Sequence, residues 1–193
     1  MTGLKTYLPK LAWHLGSSPD QLNEWMRALA QKKLLQSKPG RGPGSGVTLD
    51  GKAVATMILA VLASEFRTEA VDLTKDLVKY VPVGGKKTCA FTGATNLRDA
   101  IASALERHIR LAGKVVLLTE IRLLRGRGNP VTLSWVHGGK KPQEQKFGPV
   151  DHYSPSEANL SPKKVTVSYE LKTIHSIGND VREVMPYDYG EAR

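Results

Sequence analysis

Leu4, Leu8, Leu11, Ala12 and Leu15 recur at helical spacing, so "LKTYLPKLAWHL" (residues 4–15) reads as an amphipathic helix. Pro9 is awkward in mid-helix, and the ordered helix is expected to begin near it. Gly16 supplies the stop. A second helix restarts in "SSPDQLNEWMRALAQKKLL", with Ser18 as N-cap, Pro19 at the first position and Asp20 in the first turn. Leu22, Trp25, Met26 and Leu29 form its apolar face. Only "GSS" separates the two helices, the length of a helix-turn-helix corner.

Periodicity then breaks over "KLLQSKPGRGPGSGVTLD" (residues 33–50), where glycine and proline dominate. Asp50 can cap a third helix, "GKAVATMILAVLASEF", apolar almost all round and therefore expected in the core or at a subunit interface. Thr68 starts a fourth helix with Val71, Leu73, Leu77 and Val78 inward. "PVGGKKTCAFTGATN" (82–96) reads as a loop, and Asn96 caps a fifth helix, "LRDAIASALERHIRLA", ending at Gly113. The remainder changes character. "KVVLLTEIRLL", "PVTLSWVHG" and "KVTVSYELKTIH" are rich in β-branched residues and predict strands, the first two joined by "RGRGNP". Residues 138–162 read as a long polar connection, and "MPYDYGEAR" as a tail.

The expected fold class is therefore α+β: a winged helix-turn-helix head over 1–66, a helical connector or oligomerisation segment over 67–113, and a strand-rich domain with a small antiparallel sheet over 114–193.

Charge alters this picture. The 193 residues carry a net charge of +10, which favours polyanionic partners, nucleic acid above all. Residues 1–50 are the most lopsided for their length, with seven basic and three acidic groups. One cysteine, Cys89, excludes an internal disulfide framework and any multi-cysteine zinc site. The longest apolar stretch, residues 53–63, is far short of a membrane span. With no signal-peptide core at the N-terminus, a cytoplasmic location is expected.

Two helices, a glycine-rich turn and β-branched residues resuming at Val47-Thr48 follow the order of a winged helix-turn-helix. Leu34-Leu35-Gln36 would form one wing strand and residues 46–49 the other, with the glycines at the tip. Glycines let backbone approach phosphates closely, and Lys38 and Arg41 add charge there. The second helix would be the reader. Its outward side offers Asp20, Gln21, Asn23, Glu24 and Arg27, with Lys32 and Lys33 beyond. Asn and Gln can pair with adenine, and Arg with guanine.

"LPKLAWHLGSSPDQLNEWMRALAQKKLL" followed by "GRGPGSG" resembles the winged helix-turn-helix heads of phage and prophage regulators, and more loosely those of the MerR type. The shared pattern is an apolar helix ending in Leu-Gly, a Ser-Pro-Asp restart, an aromatic-containing reader helix, and a two-leucine exit into a basic wing. It covers about residues 4–66 and nothing after residue 70. The resemblance implies reader positions at Gln21, Asn23, Glu24 and Arg27 and a wing position at Arg41. Asp20 and Glu24 depart from it, being acids on a face that would approach phosphates, although acids can accept from cytosine.

Enzymatic readings lack their residues. "GRGPGSG" follows no buried parallel strand, as a dinucleotide loop would. "GGKKT" (84–88) has Tyr80 and Lys87 where a phosphate loop needs glycine and a hydroxyl. The five histidines share no ligand spacing, and no nucleophile elbow is present. Arg125 and Arg127 mark a second basic turn, read chiefly as a solvated edge. Trp135 reads as core. No catalytic residue, metal or cofactor is expected.

The expected function is sequence-specific binding of double-stranded DNA by a phage or mobile-element transcription regulator, as a homodimer. Its C-terminal half would offer a surface for a second protein. The alternatives are a DNA-packaging recognition subunit like a small terminase, and a protein-binding inhibitor without nucleic acid.

Overall fold

A computed structural model describes residues 3–38, 46–64, 66–107, 109–111, 113–125, 128–138, 140–149 and 166–184. Among these residues the fold is mixed α+β, with six helices, a six-stranded antiparallel sheet and a separate two-stranded one. The first helix, α1 (Leu4–Leu15), buries Leu4, Tyr7, Leu8, Leu11, Ala12 and Leu15, the predicted stripe plus one tyrosine. It does not wait for Pro9 but runs straight through it. The carbonyl that Pro9 leaves without a helical donor belongs to Lys5, an exposed residue, and water can reach it there.

Helix α2 (Pro19–Gln31) is capped by Ser18, whose hydroxyl accepts from the Gln21 amide at 3.1 Å. Helix α3 (Gly51–Ala63) is capped by Asp50 and is buried along nearly its whole length against α1, α2, α4 (Arg67–Leu77) and α5 (Leu97–Glu106). Its apolarity is thus satisfied within one chain, and the motive for expecting a second copy on this helix falls away. Gly51 is where α5 presses closest. Its N–H donates to Glu106 Oε1 at 2.7 Å, and a Cβ there would lie 2.5 Å from that carboxylate.

The C-terminal half departs from the sequence reading in three places. Helix α5 stops at Glu106 instead of running to Gly113, and residues 109–111 form strand β4 (Ile109–Leu111). This strand folds back on β5 (Lys114–Leu124) around Gly113, whose φ of 75° suits a tight turn. Within the supposed polar connection lies β7 (Gln143–Gly148), with Gln145 and Phe147 buried. The predicted third strand is only β8 (Thr166–Glu170), and the chain then turns into α6 (Leu171–Val184). Ile174, Ile177 and Val181 recur at helical spacing and are buried, which decides for a helix over the β-branched composition before it.

The sheet runs β3 (Val81–Pro82), β7, β6 (Val131–His137), β5, β4, and β8 pairs with the second half of β5. A bulge between Leu118 and Glu120 keeps β5 in phase with the core. Before it Val116 and Leu118 point inward, after it Ile121 and Leu123 do, so the extra Thr119 restores the apolar face that strict alternation would have lost. The Thr119 hydroxyl donates to the Ser134 carbonyl across the ladder at 3.0 Å. Trp135 is fully buried and stacks on Phe91 at 5.2 Å.

One continuous cluster of buried residues extends from Leu4 to Val181, across all three segments proposed from the sequence. The C-terminal segment closes onto the head. Tyr169 of β8 donates to the Leu15 carbonyl at 3.1 Å, and Asp180 of α6, 8% exposed, meets Lys10 Nζ at 2.5 Å and His14 Nε2 at 2.8 Å. Two arginines cap helix ends from a distance: Arg125 Nε donates to the Leu62 carbonyl of α3, and Arg182 to the Leu105 carbonyl of α5. Arg125 is thus engaged with the core, and Arg127 lies outside the described residues.

Candidate nucleic-acid interface

The corner between α1 and α2 is set by Gly16, whose left-handed backbone (φ 63°) lets the Ser17 amide reach back to the Ala12 carbonyl at 3.0 Å. Beyond the corner, Ser17 Oγ donates to Gln21 Oε1 at 2.8 Å, which holds the first turn of α2 to the corner. Leu22, Trp25, Met26 and Leu29 point into the core, and Asp20, Glu24, Arg27 and Gln31 form the opposite, exposed face. Gln21 and Asn23 lie on the two flanks, half-buried. Asn23 differs from its expected outward pose: its Oδ1 is buried and has no hydrogen-bond partner.

At the exit of α2 the backbone repeats the ending of α1. Lys33 takes φ 59° and donates to the Ala30 carbonyl, while the Leu34 amide donates to the Leu29 carbonyl at 2.9 Å. This turn sends Leu35 into the core, so the paired stretch begins later than residues 34–36. Strand β1 (Ser37–Lys38) pairs antiparallel with β2 (Gly46–Val47), in the register Ser37–Val47 and Lys38–Gly46. Buried Val47 and Leu49 fix its inner end, and an isolated antiparallel bridge from Gly3 to Thr48 ties that end to the start of α1. Lys32, Lys33 and Lys38 are all exposed along this exit and stem. Arg41, the expected tip residue, lies outside the described residues.

Two cations absent from the sequence reading stand at the base of the stem. A cleft of about 400 Å³ including its open mouth, between the exit of α2, Thr48 and the starts of α3 and α5, is lined by Lys52 and Arg98 together with Asp50. Both pair with Asp99, Lys52 Nζ at 3.4 Å and Arg98 Nε at 3.5 Å. Burial alone would raise the Asp99 carboxyl, but the Asn96 amide, Lys52 and Arg98 outweigh it and hold the group below its ordinary range. A signal for this pair was present in the chain. Cations in the first turn of two capped helices oppose the helix dipole, so something else must favour them.

The exposed side of α2 thus brings Gln21, Glu24 and Arg27 to one surface that continues into Lys32, Lys33 and Lys38. It can present side-chain amide, guanidinium and ammonium donors to a polyanion. No helix among the described residues is long and apolar enough to cross a membrane. Compared with protein-family models, curated proteins and solved structures, the chain matches none.

Proposed function

We propose that residues 4–66 form a winged helix-turn-helix head that binds double-stranded DNA sequence-specifically, as a phage or mobile-element transcription regulator does. The observation that carries this reading is the two-stranded antiparallel stem standing just after α2, with Lys32 and Lys33 exposed at the helix exit and Lys38 on the stem. A reader helix enters the major groove while a wing grips the neighbouring backbone, and here Arg27 would face base edges and Lys33 and Lys38 phosphates. Lys52 and Arg98 extend the cationic strip beyond the stem. Asn23, turned inward, drops from the set of base readers; Gln21 and Arg27 remain.

The test is fluorescence anisotropy with genomic duplexes across a salt series. Affinity should fall with a log–log slope of about −0.9 per phosphate contacted. Arg27→Ala should cost about 1–3 kcal/mol on the preferred duplex and less on random DNA. Absence of binding at low salt would sink the proposal. In that event a protein partner becomes the better reading, favoured by Trp13, which is 79% exposed on the outer side of α1.

A further inference from the structure

Three basic side chains converge on a second cleft, remote in sequence from the head. It lies between the end of α5, the middle of β5 and one flank of α6, and holds about 390 Å³ including its open mouth. Arg107, His175 and Arg182 line it together with Leu117, Leu118 and Gly178, and among the described residues no acidic side chain does.

Arg182 is only 9% exposed, yet its guanidinium meets two uncharged acceptors, the Leu105 carbonyl and Asn179 Oδ1. A guanidinium carries five donors, and a buried one without a counter-charge is costly. The adjacent Asp180 offers no relief, because it is engaged by Lys10 and His14 of α1. Gly178 makes room for the group: a Cβ there would stand 3.1 Å from Arg182 Nη1.

The sheet adds its own opening. On this edge β5 pairs with β4 through residues 114–116 and with β8 through 120–124, so among the described residues no strand lies beside 117–119 there. Leu117 and Leu118 of that gap line the cleft. An unpaired strand edge offers backbone donors next to the cations.

We propose that this cleft binds a phosphate group, either inorganic phosphate or the phosphate of a mononucleotide, clamped by Arg107 and Arg182 with His175 at the mouth. A compact polyanion satisfies two convergent guanidiniums and an imidazole at once, and a guanidinium fork matches its oxygens. Binding supplies the counter-charge that Arg182 lacks.

The experiment is an amide-shift titration of the full chain with sodium phosphate against sodium chloride at equal ionic strength. Saturable shifts at Leu117, Leu118 and Gly178, absent in chloride, are expected. Arg107→Ala and His175→Ala, both at exposed positions, should each weaken phosphate binding about tenfold and leave the thermal midpoint unchanged. A parallel titration with adenosine 5′-monophosphate separates the sources: tighter binding than phosphate identifies a nucleotide, equal or weaker binding the free ion. Shifts identical in chloride, shifts confined to α2 and the wing stem, or unchanged affinity in both variants would overturn the proposal.

Discussion

Lys33 occupies a backbone conformation that normally belongs to glycine. Gly16 and Lys33 end their helices through the same pair of backbone hydrogen bonds, at φ 63° and 59°. Gly16 holds this geometry without strain, whereas a Cβ-bearing residue there gives up about 1 kcal/mol. The sequence accepts that cost where a lysine is left exposed between α2 and the β1–β2 stem. Strain kept at such a place fits a role for the side chain in contact with a ligand. Lys33→Gly should therefore raise stability by about 0.5–1 kcal/mol in urea unfolding while weakening DNA binding. A variant that gained no stability would remove the argument from strain.

Helix α1 shows how burial overrides local preference. Pro9 removes one intrahelical hydrogen bond, but six buried side chains on the opposite face hold the helix straight through it. Pro9→Ala should add about 1 kcal/mol or more to stability, read from the midpoint of thermal unfolding, because the exposed side regains a bond and nothing in the core moves. The same competition explains what was legible in the chain. The first four helices, their caps at Ser18 and Asp50, and both apolar stripes of the head could be read directly from spacing. The end of α5 could not, since Ile109 continues a helical stripe and only its pairing with Val116 makes it a strand. Strand β7 was hidden because Gln145 occupies an inward position where an apolar residue would have shown the alternation. Of the candidate interface, the outward face of α2 was readable from periodicity. The inward turn of Asn23 and the approach of Lys52 to Asp99, 47 residues further on, depend on how the helices pack, which spacing within one helix does not show.

The molecule is held together where its last elements return to its first. Tyr7 and Lys10 of α1 converge with His14 on Asp180, and Tyr169 reaches the final carbonyl of the same helix. Head and C-terminal segment consequently share one core, and their unfolding should be coupled. The two tyrosines provide a way to read that coupling. Burial pushes the Tyr169 phenol up to about 12, against a smaller opposing effect of Arg125. Burial, with the Asp180 carboxylate beside it, raises Tyr7 as well. An unfolded tyrosine ionises near 10, so the contribution of each group is fully present below that pH. It is lost as pH rises towards the folded value, because the unfolded chain releases the proton first. Stability should therefore decline from about pH 10 upward, with α1 and α6 melting together in one transition. Tyr169→Phe should cost about 1 kcal/mol near neutrality and flatten the alkaline decline, as the hydroxyl that ties β8 to α1 is removed. Circular dichroism melts of both proteins from pH 7 to 12 measure this directly. An equally steep alkaline decline in the variant would show that the Tyr169 tie does not govern how the C-terminal segment grips the head.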